Sequence, residues 1–216
     1  MKVSYAITVK DELEELRSLL SNLGRYLSEV KYENEIVILQ DGNNPTIMDF
    51  ITHLCITSSF YRHYTHDLNM DFASHKNFLN SKCDGDFIFQ IDADESPSSI
   101  LVDQLDVILE ANPTVDLYWV PRVNTVSGLT TEHIVKWGWK TQVLEDVELM
   151  VVNWPDYQSR IYRNNPNIQW EGRVHERIIG ANKYTKLLEE PMWALLHPKT
   201  IEKQERQNAM YATIQR

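Results

Sequence analysis

The sequence predicts an α/β domain built on a mostly parallel sheet with helices on both faces, and three observations carry that expectation. Short apolar runs alternate with segments of helical periodicity, the pattern of βαβ units with right-handed crossovers. At 216 residues and 43% hydrophobic content, with 7 Gly and 8 Pro, the chain can bury one sizeable core without an evident linker. Three of the apolar runs end in Thr8, Asp41 and Asp92, at the strand ends where open α/β sheets bind their ligands.

Taken in order, residues 3–8 form a strand, and Leu13, Leu16, Leu20, Leu23 and Leu27 recur at helical spacing after Asp11 and Glu12. Residues 35–40 (EIVILQ) form a second buried strand that ends at Asp41-Gly42-Asn43-Asn44-Pro45. A helix over 46–54 follows, with Thr46 as its cap, then a short strand over 60–64 and a helix over 72–82. Residues 86–91 are a strand rich in Phe and Ile after the Asp84-Gly85 turn. Ser96-Pro97 has the form of an N-cap followed by a proline at the first helical position, for a helix running from 98 to 109. A strand over 115–120 follows. Beyond it the periodicity weakens through Trp137, Trp139 and Trp154, with a strand at 159–162 and a charged helix from about Thr200.

The segment Ile91-Asp92-Ala93-Asp94-Glu95 carries the chemistry. An apolar strand delivers three carboxylates within four residues. If extended geometry persists, Asp92 and Asp94 share one side, while Ala93 faces away and keeps the space small. Adjacent carboxylates repel unless a hard cation such as Mn2+ or Mg2+ lies between them, and such ions keep waters and substrate phosphates as further ligands. The competing assignment is a solvated acidic turn. Glu95 fits the start of the next helix, where a carboxylate complements the dipole.

Composition narrows the classes. No apolar stretch reaches the ~18 to 20 residues that span a bilayer, and the N-terminus runs straight into a strand, so a soluble, cytoplasmic protein is expected. Cys55 and Cys83 have neither metal nor redox spacing. A net charge of −10 disfavours a nonspecific grip on nucleic acid. No cluster of basic residues for a diphosphate stands out.

The ordered set of motifs resembles the inverting family-2 glycosyltransferases of the GT-A fold, in particular the subgroup with lipopolysaccharide-core glucosyltransferases. It consists of Thr8-Val9-Lys10-Asp11-Glu12, Gln40-Asp41-Gly42-Asn43, Phe72-Ala73-Ser74-His75-Lys76-Asn77 and Gln90-Ile91-Asp92-Ala93-Asp94-Glu95. It continues with Ser159-Arg160-Ile161-Tyr162-Arg163-Asn164, Trp170-Glu171-Gly172-Arg173-Val174-His175-Glu176, and His197 before the last helix. The resemblance implies one Rossmann-like GT-A domain over 1–216, with a nucleotide-binding half at about 1–120 and an acceptor-binding half with the catalytic motif at about 121–216.

By that resemblance, Thr8 and Glu12 line the base and ribose pocket, Asp41 accepts from the nucleobase, and Lys76, Asp92 and Ala93 lie at the nucleotide. Asp92 and Asp94 are the metal-binding DxD pair, with Asp94 the direct ligand, and His197 is a further ligand to Mn2+ or Mg2+. Glu176 is the base that takes the acceptor proton, with His175 as an alternative base or supporting group. Gly172 permits close approach of donor or acceptor, and Trp170 stacks on a sugar. The implied donor is a nucleotide-sugar, above all a UDP-sugar. The acceptor is a glycan, a lipid-linked sugar, a protein or a modified nucleobase. Two residues depart from the family pattern: Gln40 replaces a common aspartate, and Lys76 replaces an arginine, keeping the charge but not the bidentate fork.

Structural alternatives stand beside these roles. Gly172 suits a plain turn, Glu176 suits an ion pair with Arg173 or Arg177, and the tryptophans suit a cover over the sheet edge. Rival classes are a noncatalytic nucleotide- or sugar-binding module, a metal-dependent nucleotidyltransferase and a phosphohydrolase. Residues 8–12 lack the glycine-rich phosphate loop of the second, and the first strand lacks the nucleophilic aspartate usual in the third.

Overall fold

The computed structural model describes residues 1–145 and 148–214, with 210–214 given by backbone alone. Along the chain, β1 (Lys2–Val9) is followed by α1 (Leu13–Leu27), β2 (Glu33–Gln40), α2 (Pro45–Thr57), β3 (Tyr61–Thr65), α3 (Phe72–Asn80) and β4 (Phe87–Asp92). Then come β5 (Ser96–Pro97), α4 (Ser99–Asp103), α5 (Leu105–Ala111), β6 (Leu117–Val120), β7 (Arg122–Ser127) and α6 (Thr131–Trp137). The remainder comprises β8 (Thr141–Leu144), β9 (Leu149–Val152), β10 (Gln158–Arg163), β11 (Gln169–Glu171), β12 (Arg177–Ile179), β13 (Tyr184–Lys186), β14 (Leu195–Thr200) and α7 (Ile201–Ile214).

Among the described residues, the main sheet has seven strands in the order β13-β6-β10-β4-β1-β2-β3. β4, β1, β2 and β3 are mutually parallel, and β10 runs antiparallel between β4 and β6. The sheet is therefore mixed and mostly parallel, with helices on both faces. Strands β10 and β13, from the C-terminal half, complete the sheet that the N-terminal half begins.

Both faces are buried, which is why β1, β2 and β4 read as continuous apolar runs. Tyr5 and Ile7 point to one side, against Leu16, Leu19, Leu20 and Leu23 of α1 and Leu101 and Leu105 beyond β4. Ala6 points to the other side, with Val37, Leu39 and Ile88, where Ala73 and Leu79 of α3 and Trp170 close the layer. A smaller five-stranded sheet, β5-β14-β7-β9-β8, stands beside the first, and β11 and β12 form a two-stranded ribbon.

Several local expectations change. Asn44, not Thr46, caps α2: its side chain accepts from the Thr46 and Ile47 N–H groups, and Pro45 takes the first helical position. Ser96-Pro97 does not open a helix; it pairs antiparallel with Leu195 and Leu196 of β14, and Ser98 caps α4 through the Leu101 N–H. The helix expected over 98–109 is broken at Gln104 into α4 and α5. Among the described residues no helix is long and apolar enough to cross a membrane.

Candidate active site

From β1 the chain crosses to β2 and β3 on one side and returns to β4 on the other. The C-terminal ends of β1 and β4 thus flank the switch point at which open sheets form a crevice. Thr8 and Asp92 are register partners there, and the Thr8 hydroxyl donates to Asp92 Oδ1 at 2.7 Å.

Asp92 is the last residue of β4, and the chain turns immediately after it, with the Glu95 N–H returning to the Asp92 carbonyl at 2.8 Å. The extended geometry that would align Asp92 and Asp94 therefore does not persist, and the two carboxylates have different partners. Asp92 Oδ1 also accepts from Gln90 Nε2 at 2.9 Å, and Oδ2 accepts from Arg160 Nη2 at 2.7 Å. Burial opposes its ionisation, yet Arg160 and Lys76, with the Gln90 and Thr8 hydrogen bonds, hold its carboxyl well below the usual range.

Arg160 reaches that position because the β10 register shifts between Ser159 and Ile161. Its buried guanidinium also donates to Gln90 Oε1 and to Glu95 Oε1. Glu95 is 1% exposed and bridges Arg160 to Arg122, 2.9 Å away, so it is an internal ion-pair partner instead of a helix-dipole carboxylate. Ala93 is buried in the main core with its N–H on the Thr8 carbonyl; it pins the end of β4 to β1 and offers no open surface to a nucleotide.

Asp94 faces β14. Its Oδ2 lies 3.5 Å from His197 Nε2 and 3.3 Å from Lys203 Nζ of α7. Burial pushes the Asp94 pKa up, but the His197 contact and the Lys199 charge outweigh it and leave the carboxyl well below its ordinary value. Burial lowers the pKa of both His197 and Lys199, and for Lys199 the pull of Asp94 only partly offsets it. For Lys203 the neighbouring Asp94 and Glu15 carboxylates overcome burial and raise the pKa. Lys199 and Lys203 form the basic cluster absent from the sequence expectation; they approach Asp94 only because β14 leads directly into α7.

On the other flank, Lys76 Nζ is 2.6 Å from Glu176 Oε1 and 3.9 Å from Asp92 Oδ1, and it sits 4.5 Å from the centre of the Trp170 ring. Glu176 is thus paired with Lys76 and not with Arg173 or Arg177; the latter bonds Glu171. Trp170, expected to stack on a sugar, is 6% exposed, with its indole N–H on the Tyr162 hydroxyl. It floors the site beneath Lys76 and is almost wholly covered. Gly172 (φ 103°) and His175 (φ 56°) both occupy left-handed backbone, so the 172–176 loop turns sharply and a side chain at 172 would be strained. The Phe72 N–H on the Arg173 carbonyl ties this loop to the start of α3. Beside it a cavity of about 410 Å3 is lined by Asp71, Ser74, Asn77, Trp170, Gly172 and Arg173.

Asp41 already has two partners: Oδ1 accepts from the Leu68 N–H and Oδ2 from Lys10 Nζ, each at 2.8 Å. Burial would raise its pKa, but these two donors lower it. Glu12 Oε2 accepts the N–H groups of Lys10 and Asp11 and shapes the turn before α1. Beyond β2 and β3 lies a second cavity of about 340 Å3 lined by Gly42, Asn43, Met48, Thr65, His66 and Asp67.

Among the described residues no group of three or more His, Cys, Asp or Glu is placed to hold a metal ion. Asp94 and His197 are a two-residue set. That fits a magnesium- or manganese-type ion, which takes few protein ligands and completes its shell with phosphate oxygens and water.

The geometry defines a GT-A-like fold with a crevice of paired carboxylates and cations at its switch point. In solved structures the same fold appears in Staphylococcus aureus TarS: residues 1–349 in complex with UDP-GlcNAc align with a TM-score of 0.60 at 14% identity, covering 92% of this chain and 59% of that one. The same fragment with UDP gives 0.59 at 11% identity over 92% and 60%, and the longer TarS structure gives 0.58 at 13% over 97% and 38%. The chain therefore spans about 60% of the shorter TarS chain. No family model matches the sequence, and no curated protein matches it in sequence.

Proposed function

We propose that this protein is a metal-dependent, inverting glycosyltransferase of the family-2 type that moves a sugar from a UDP-sugar to an acceptor hydroxyl. The observation that carries the reading is the convergence on one crevice of Asp94 with His197, of the Lys199 and Lys203 ammoniums, and of Glu176 held across Lys76. TarS, solved with UDP and with UDP-GlcNAc on the same fold, supports the choice of donor.

In this mechanism Thr8, Glu12 and Asp41 frame the nucleoside and Lys76 meets the diphosphate. Asp94 and His197 would hold a divalent cation, Mn2+ or Mg2+, which when bound supplies positive charge against the departing diphosphate. Lys199 and Lys203 add charge at the same place. Glu176 takes the proton of the acceptor hydroxyl as its oxygen forms a bond to the anomeric carbon, and the bond from that carbon to the phosphate oxygen breaks, releasing UDP. One displacement with one base inverts the anomeric centre. The cavity beside Gly172 lies next to Glu176 and is the proposed acceptor side.

Hydrolysis of a panel of UDP-sugars, with water as acceptor, tests the reading. Release of UDP should require Mn2+ or Mg2+, be abolished in Asp94→Asn with its fold retained, and give a sugar of inverted configuration by NMR. Metal-independent hydrolysis or retained configuration would overturn it.

A further inference from the structure

Asn124 lies on β7 directly across from His197 in the parallel β7/β14 register. Its amide orientation is decided by its neighbours. Nδ2 is 2.8 Å from Asp156 Oδ2 and 3.5 Å from the Val152 carbonyl, and both of those oxygens are acceptors. Asp156 is itself fixed: Oδ2 accepts from Arg122 Nε and Nη2 at 2.9 and 2.6 Å, and Oδ1 accepts from Gln158 Nε2 at 2.7 Å. The amide NH2 therefore faces Asp156, and Oδ1 faces His197 Nδ1 at 2.7 Å. An amide oxygen carries no hydrogen, so the proton of that bond belongs to Nδ1. In neutral imidazole this leaves the lone pair on Nε2, the nitrogen 3.5 Å from Asp94 Oδ2; the pull of His197 on the Asp94 carboxyl belongs to the ring with both nitrogens protonated.

We propose that Asn124, held by Asp156 and Arg122, is a positioning residue that locks His197 in the Nδ1–H tautomer and turns its Nε2 lone pair toward Asp94 to form the two-ligand cation site. The inference rests on the cation role of Asp94 and His197 and deepens it, assigning the work of orientation to residues that no sequence motif marked. A lone pair facing a carboxylate is unfavourable unless positive charge lies between them. The lock thus makes sense as preparation for a cation, as a donated second ring N–H does at metal-ligating histidines generally.

The test has two independent readouts. Long-range 1H–15N correlation spectra of the metal-free, 15N-histidine-labelled protein at pH 8 should show His197 protonated on Nδ1 and unprotonated on Nε2. Asn124→Ala and Asp156→Ala should both shift it toward the Nε2–H form or a mixture, the second by freeing the amide to flip. An Nε2–H signal in the wild-type protein, or a tautomer unmoved by both changes, would overturn the proposal, and the wild-type spectrum decides even where a variant fails to fold. In parallel, the free Mn2+ signal in electron paramagnetic resonance titrations with UDP present should show affinity for Mn2+ lowered ~10- to 100-fold in Asn124→Ala. Wild-type protein that takes up no Mn2+ while keeping the Nδ1–H tautomer would sink the cation role on its own and leave the lock without its purpose. Tautomer change with undiminished Mn2+ affinity would instead sink the positioning role.

Discussion

Lys76 Nζ and Glu176 Oε1 lie 2.6 Å apart, 100 residues apart in sequence, so in the proposed reaction one ion pair would join the cation for the diphosphate to the carboxylate for the acceptor. In that reaction a diphosphate drawing on the Lys76 charge would loosen its hold on Glu176 and tie arrival of the donor to release of the base. Glu176→Gln should lower turnover by ~10²- to 10⁴-fold without lowering UDP affinity, because the nucleotide's contacts remain and Lys76 no longer has a carboxylate to pair with. Steady-state hydrolysis rates and calorimetry read the two quantities separately. Near wild-type turnover in this variant would remove Glu176 from the mechanism and leave His175 as the next candidate.

Asp41 gives a second expectation, sharpened by its bond to Lys10. Asp41→Ala should weaken UDP binding by ~1 to 3 kcal/mol without altering its dependence on Mn2+. Lys10→Met frees one Asp41 oxygen and should leave UDP affinity undiminished. Calorimetry showing no loss in Asp41→Ala would mean that the base is read elsewhere.

Lys203 should act on the diphosphate. With Glu15 and Asp94 as its partners on a partly exposed surface, Lys203→Ala should weaken UDP binding about fivefold, on the order of 1 kcal/mol, and flatten the dependence of affinity on salt. Equal salt slopes for variant and parent protein would place the ammonium outside the donor site.

His75 predicts a pH effect on stability. Burial first, then the neighbouring His66 and Lys76, outweigh the Asp41 and Asp92 charges and push its pKa down to about 4. Below the unfolded value near 6.5 the unfolded chain takes up a proton that the folded chain refuses, so stability falls as pH drops from ~6.5 to ~4. The full effect is about 3 kcal/mol. His75→Gln should lose less stability over that window in urea unfolding curves. Identical pH slopes would assign the loss to other groups.

The parallel core was legible because its strands are buried on both faces and its helices carry single apolar stripes: EIVILQ and the leucines of α1 announce themselves locally. What escaped depends on distant partners. Ser96-Pro97 carries a helix-start signal, but the antiparallel edge offered by Leu195 and Leu196 takes it into a strand, and Ser98 is left to cap the helix. β7 alternates too weakly to stand out, and with it went Asn124. The approach of Lys203 to Asp94 spans more than one hundred residues and has no local trace. The resemblance implies a sugar platform at Trp170; its burial follows from Asn77, which bonds both its N–H and its carbonyl and draws the indole under α3.

Strand β10 enters the main sheet between β4 and β6, although residues 158–163 are made long after β4. During synthesis the row of backbone donors and acceptors along Phe87-Ile88-Phe89 has no cover until β10 emerges, an open edge of the kind that recruits other chains. A fragment ending near residue 120 should therefore associate in light scattering, whereas one extended past β10 and β13 should stay monomeric. Assembly of the crevice then waits on the C-terminal half, and in the proposed function a nascent chain would not expose a finished nucleotide site before the loop that carries Glu176.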